Sequence, residues 1–521
     1  MPLVLSGMKK DKLILEVDPM KRLAVVAALV AMLTLPSLAM AKADLTIATD
    51  APPLSMNPQA HSSDANFSYM SNFFDGLLQR KNGKLVPALA TEWKRIDANT
   101  WEFKLRKGVK FHNGNDFNAD DVVFTFERMK NSKYSKLLNF GNAIASMETP
   151  DKYTVIFKTV KPVPWFAETM HQNFIVDKES SLKRDDGDYN TKPIGTGAYI
   201  FDEWVKGSYL RMHANPDYWE GAPKYKTIEM RPIVEEATRF AALAGKQVDL
   251  VNGVPLTLAD RIAKMPTVEM IQRPARRCIF LSIGNKPGTP YADIRVRQAI
   301  ALAINEDEII EKVMHGQATK AHQIPDAATV GYDASIKRLE YNPEKAKQLL
   351  AEAGYKDGFE ITIAGPNDRY INDEKICEAV AKYLAKVGLK VNLDVKPKSI
   401  FFSELTSQKY PFYLIGWFDG SYDFGRSAEK LLHTVDKDKG MGGYNGASYS
   451  NPELDKKLIA SADIVDRAER EKALQEINRI SLEEVSTIPL HYQQDMYAVI
   501  KGKGIKFTPR PDRWITVKEI Q

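Results

Sequence analysis

Two short loops hold residues that could recognise a charged solute. One reads Gly365-Pro-Asn-Asp-Arg369-Tyr370. The other reads Gly416-Trp417-Phe418-Asp419-Gly420-Ser421-Tyr422-Asp423, with Arg426 close behind. Each sets charge beside aromatic rings and glycine. A guanidinium presents a planar fork that pairs a carboxylate bidentately. The rings of Trp417, Phe418, Tyr422, Phe424 and Tyr444 could wall a cleft, although packing in a core is the commoner fate of such residues. Charged ends and aromatic walls suit a zwitterionic or amide-bearing solute.

Bond-making chemistry has no comparable signature. HExxH, GxSxG, a Walker loop and GxGxxG are all missing from the sequence. Gly195-Thr-Gly197 lacks the third glycine and reads as a turn. The histidines are dispersed. His315 and His322 lie nearest to each other, with Gly316 between them, so no helical face presents both to a zinc ion. Cys278 and Cys377 are the only cysteines. Different segments carry them, and two separate buried thiols are expected. The reading is a binding protein with no catalytic residue, metal or cofactor. The alternative outside that class is a hydrolase, whose triad could be assembled from distant residues.

The elements around the two loops explain why they would share a cleft. Phe359–Ile363 reads as a strand. Glu374–Val387 is a helix with Ile376, Val380, Tyr383, Leu384 and Val387 on one face, and Gly388 ends it. Leu389, Val391, Leu393 and Val395 alternate in the next strand. Strand, helix, strand implies a parallel crossover. Phe412–Trp417 is a continuous apolar run, as buried parallel strands are. Both loops therefore follow strand ends, where open α/β sheets hold ligands. Further helices are expected at Arg295–Ile304, Asp307–Met314, from Asn342 as N-cap with Pro343 at the first position, and at Pro452–Ala462 and Ala468–Glu484.

Earlier in the chain, Glu92–Met129 gives strand, turn and capped helix. Trp101, Phe103 and Leu105 alternate with polar residues. Val109 and Phe111 read as a second short strand, and Asn113-Gly114 as a tight turn. Asn118 and Asp121 stand as N-cap and third residue of a capping box. A helix is expected around Tyr69–Leu78, and strands at Pro193–Tyr199, Thr227–Met230 and Val248–Val251.

The run Thr100-Trp-Glu-Phe-Lys-Leu-Arg-Lys-Gly-Val-Lys-Phe-His-Asn-Gly114, followed by Phe117-Asn-Ala-Asp-Asp-Val122, resembles the signature of the extracellular solute-binding proteins of family 5. These are the dipeptide, oligopeptide and nickel receptors of ABC importers. Pro193-Ile-Gly-Thr-Gly197, Asn215-Pro-Asp-Tyr-Trp219, Val296-Arg-Gln-Ala299 and Asn342-Pro-Glu-Lys-Ala346 follow in the family's order. The resemblance implies an α/β fold of the type II periplasmic binding protein kind, with two hinged lobes and an extra inserted subdomain. Lobe I would comprise 44–65, 171–274 and 491–521. The inserted subdomain would be 66–170, and lobe II 275–490.

The resemblance also assigns roles. Arg369 matches the loop arginine that takes the ligand carboxylate, and Trp417 is placed at the cleft. Peptide receptors typically read Gly-Trp-x-x-Asp, with that Asp on the ligand's amino group. Here the position holds Gly420, and the carboxylate stands one residue earlier, at Asp419. Asp423 aligns with a second frequent Asp. The expected ligand set is Arg369, Trp417, Phe418, Asp419, Tyr422, Asp423 and Arg426. The expected solute is a peptide or peptide-like molecule. A nickel chelate, an opine-like conjugate or a sugar is the alternative within the class. The expected partner is an ABC permease, and the expected state is monomeric.

Charge and the N-terminus agree with that reading. A net charge of +5 over 521 residues lacks the concentrated basic face of a nucleic-acid binder. Met20-Lys-Arg22, an apolar run Leu23–Leu35 and Ala39-Met-Ala41 read as a cleaved secretory signal, residues 1–41. No cysteine near the cleavage site offers a lipid anchor, so the expected location is the periplasm.

Overall fold

The computed structural model describes residues 43–133, 135–184 and 189–521. The expected signal segment lies outside them. The strands in chain order are β1 (Leu45–Thr49), β2 (Leu78–Lys81), β3 (Lys84–Pro87), β4 (Ala90–Arg95), β5 (Thr100–Leu105), β6 (Ile144–Asp151), β7 (Thr154–Thr159), β8 (Tyr199–Val205) and β9 (Tyr209–Ala214). They continue as β10 (Thr227–Pro232), β11 (Leu250–Asn252), β12 (Val268–Ile283), β13 (Ala318–Lys320), β14 (Glu360–Pro366), β15 (Lys390–Lys396), β16 (Phe412–Trp417) and β17 (Thr487–Ile500).

One mixed sheet runs in the order β15-β14-β16-β12-β17-β11-β1-β10-β9-β8, with β13 added on β17. Its centre is the antiparallel pair β12 and β17, each long enough to serve two sets of neighbours. The first half of β12 and the second half of β17 lie with β11 and β1. The other halves lie with β16 and β13. The ladder breaks twice within this pair: narrowly between Ile279 and Phe280, and more widely where Pro274 faces Gln494 and Cys278 faces Tyr492, so Ala275, Arg276 and Arg277 stand opposite Gln493 alone. Such a bulge bends a strand and re-aims its side chains.

Past the break, β14 pairs in parallel with both β15 and β16, as the crossover pattern predicts. The helix Asp373–Lys386 between β14 and β15 buries Ile376, Val380, Tyr383 and Leu384. On the other side, β4-β5-β7-β6 form a separate antiparallel sheet. The helix Ala119–Asn131 packs on it through Phe126, whose ring meets Phe157 edge-on at 5.0 Å. The Asn118–Asp121 capping box is present.

The apolar side chains separate into three buried clusters. One gathers residues between Cys278 and Leu490. A second joins Leu45 and Ile47 to Phe103 and Phe157 and to Trp514 and Ile515. The third, smaller one lies around Leu243, Val251 and Ala498. Cys278 and Cys377 are free, buried thiols.

Several local expectations shift. Val109 and Phe111 are buried but form no strand, because the Phe111 N–H bonds back to the Asn115 carbonyl within a tight loop, at 2.8 Å. The early helix is Asp64–Met70 rather than 69–78. Gly76 passes so close to the Met170 carbonyl that a Cβ would lie 2.1 Å from it. Residues 193–198 are a loop leading into β8. The expected helix at 307–314 is a short α turn, Glu306–Glu308, that widens into a π turn at Ile309–Val313.

Candidate functional site

A cleft of about 530 Å³ opens at the break between β12 and β17, a size within the usual range for small-molecule sites. Its floor carries Ala275, Arg276 and Arg277 from β12, and Gln493 to Met496 from β17. Asp64, Val234, Arg239 and Val254 wall one side. Arg369, Tyr370, Ile371 and Phe418 wall the other.

Arg369 sits where the sequence puts it, in the loop after β14. The N–H groups of Arg369 and Tyr370 both donate to one Asp373 oxygen, at 2.9 Å each. Asp373 opens the following helix, so the loop is tied to a rigid element. The Arg369 side chain is exposed to the cleft, with no acid within ion-pair distance among the described residues. Its guanidinium carbon lies 5.3 Å from the centre of the Tyr370 ring. Tyr370 is itself fixed, its hydroxyl donating to the Gly416 carbonyl at 3.0 Å.

The second loop behaves differently. Of its expected ligand residues only Phe418 lines the cleft. Trp417 donates from Nε1 to Ser427 Oγ at 3.1 Å and meets Tyr444 edge-on at 5.0 Å. Asp419 accepts from the Ser421 N–H at 2.7 Å and from Arg426 at 3.3 Å. Those two charges satisfy each other. Asp423 is buried and held by Arg470. Tyr422 is buried in a left-handed backbone conformation, φ 56°. Its ring is sandwiched between two guanidiniums, Arg80 at 3.3 Å and Arg276 at 3.5 Å. Cation–π contact of this kind stabilises by about 0.5–2 kcal/mol. Trp417, Asp419, Tyr422, Asp423 and Arg426 are not among the residues lining the cleft.

Sequence reasoning missed the other wall and the floor. Asp64 faces the cleft from the first turn of its helix. Although its side chain is exposed to the cleft, desolvation by the surrounding walls, then the nearby Asp512 carboxylate, push it up to about 6. Burial also raises Asp495, which pairs with Arg513 at 3.0 Å. Burial, then repulsion from Arg369, hold Arg277 below its ordinary value. Only adjacency in sequence, Arg276 beside Arg277 at a strand centre, could have flagged these two. The arrangement can bind anions and a cation together. It contains no nucleophile–base pair poised for covalent chemistry among the described residues.

The chain is similar over most of its length to known receptors. The oligopeptide-binding protein AppA of Bacillus subtilis is 26% identical over 501 residues, covering 90% of each chain. The glutathione-binding protein GsiB of Pectobacterium atrosepticum is 27% identical over 440 residues, covering 82% of this chain and 84% of that one. The structure of HbpA2 from Haemophilus parasuis superposes with a TM-score of 0.83 at 25% identity, covering 92% of this chain and 99% of that one. The model of the bacterial extracellular solute-binding proteins, family 5, matches residues 84–439, and the chain belongs to that family.

Proposed function

We propose that this protein captures a peptide-like solute in the cleft and presents it to the permease of an ABC importer, without altering it. The observation that carries the reading is the cleft itself. Its walls come from both halves of the central sheet, and Arg369 and Asp64 face into it with no ion-pair partner among the described residues. A solute with a carboxylate and an amine supplies both partners. Arg369 takes the carboxylate, and Asp64 takes the ammonium, because Asp419 is already engaged by Arg426. That engagement also favours a second reading within the class, a solute that carries no amine.

The two halves act as lobes, 44–65 with 171–274 and 491–521 against 275–490, with 66–170 inserted. β12 and β17 are the shared strands on which they hinge. The protein works in the periplasm after cleavage behind Ala41, so N-terminal sequencing of the exported form begins Lys42-Ala-Asp-Leu45. No helix among the described residues is long and apolar enough to cross a membrane. Native mass spectrometry of the purified protein with its co-purifying solute tests the assignment directly. A retained peptide or peptide conjugate is the expected result. A retained sugar would overturn it.

A further inference from the structure

Five arginines line the cleft, and three have work elsewhere. Arg276 pairs with Asp326 at 2.7 Å and donates to Thr329. Arg513 pairs with Asp495 at 3.0 Å and Asp50 at 3.2 Å. Arg239 donates to the carbonyls of Ile233, Val234 and Gly253. Arg277 and Arg369 remain, and neither has an acid within ion-pair distance among the described residues. They come from different elements, the β12 bulge and the loop after β14, yet they meet over one ring. The guanidinium carbons lie 6.0 Å and 5.3 Å from the centre of Tyr370. Arg277 also lies 5.2 Å from the centre of Phe418.

The half-buried Arg277 feels the repulsion of the exposed Arg369 more than the attraction of Asp64, so the empty cleft holds an excess of positive charge beside this ring. A single carboxylate neutralises one and leaves the other. We infer that the solute carries at least two carboxylates, one on Arg369 and the second on Arg277, and that Arg277 is the residue that selects for the second acid. This deepens the receptor reading above and rests on it. The Tyr370 and Phe418 faces then hold the chain between the two acids, while Asp64 on the opposite wall keeps the amine end. The substrate class is an acidic peptide, not a neutral one.

The test uses peptides of two to four residues in matched pairs, with Glu or Gln at the first or last position, titrated by calorimetry into the mature protein. Wild type should bind the Glu member of at least one pair about tenfold or more tighter, one charge-assisted contact's worth. Arg277→Gln should bring the two members of that pair within about twofold of each other, the Glu member losing more affinity than the Gln member. Arg277→Lys should keep part of the preference, and serves if the Gln variant does not fold. Equal binding of both members by wild type would overturn the two-acid inference and leave the receptor reading standing. Equal weakening of both members by Arg277→Gln would overturn the selecting role of Arg277. Binding of no peptide in either series would overturn the receptor reading, and the inference with it.

Discussion

Asp423 and Arg470 form a buried ion pair across 47 residues of sequence, and the same Asp423 carboxylate caps the helix Phe424–Leu431. Both Arg470 terminal nitrogens reach it, one at 3.0 Å. The Gly425 N–H donates to it at 2.9 Å. Removing one partner of a buried pair costs about 3–5 kcal/mol, because the other charge is left uncompensated. Asp423→Asn should therefore lower the ligand-free melting temperature strongly and leave solute affinity close to wild type. A clear affinity loss at unchanged melting temperature would return Asp423 to the binding site.

Arg369→Ala has the opposite signature. It leaves a ligand carboxylate unpaired in the cleft, which costs about 2–5 kcal/mol of binding. At about 1.4 kcal/mol per decade, that is roughly 30-fold or more in affinity. Arg369→Lys should rescue only in part, since an ammonium lacks the fork. Melting without ligand should hardly change, because the side chain is exposed. Calorimetry with the co-purified solute measures the first effect and thermal denaturation the second.

Gly416 has no room for a side chain. An added Cβ would lie 2.6 Å from Ile279 Cδ1 and 2.8 Å from Tyr370 Cε1. Gly416→Ala must push the Tyr370 ring off its seat. We expect weaker solute binding by about tenfold, with some loss of stability, since overpacking costs about 1–3 kcal/mol. A crystal structure of the variant with Tyr370 unmoved would refute the mechanism.

His491 gives a pH dependence. It is fully buried in β17, neither ring nitrogen has a partner among the described residues, and burial pushes it down to about 4. Its folded value lies below the unfolded 6.5, so the unfolded chain binds the extra proton. Stability from the neutral ring is complete above about 6.5 and is lost as pH falls toward 4. The stability gap between His491→Leu and wild type should shift in the variant's favour over that window, by on the order of 3 kcal/mol at its acid end. A gap that does not vary with pH would show that the ring is not buried neutral.

Closure of the two halves is testable without any variant. A solute held from both walls favours the state in which both touch it. Small-angle scattering at saturating solute should give a smaller radius of gyration than without it.

Local features were legible in the sequence where chemistry between near neighbours decides them. The Asn118–Asp121 box, the Asn342–Pro343 helix start and the parallel unit from 359 to 396 all follow from residues a few positions apart. The position of Arg369 followed from the strand before it. What escaped was set by distant pairing. Arg277 reaches the cleft only because three β12 residues stand opposite Gln493. Asp423 turns inward because Arg470 waits there, and Tyr422 because Arg80 and Arg276 bracket it. A loop of aromatics and acids reads the same whether it faces a ligand or another part of its own chain.

The place of β17 has a consequence for how the protein is made. This strand supplies the centre of the sheet, and just beyond it Trp514 packs on Phe67 and Phe174 while Ile515 and Thr516 bond to Asn72 and Ser71. The N-terminal core thus cannot close until the C-terminal segment has left the ribosome. Such long-range closure is slow.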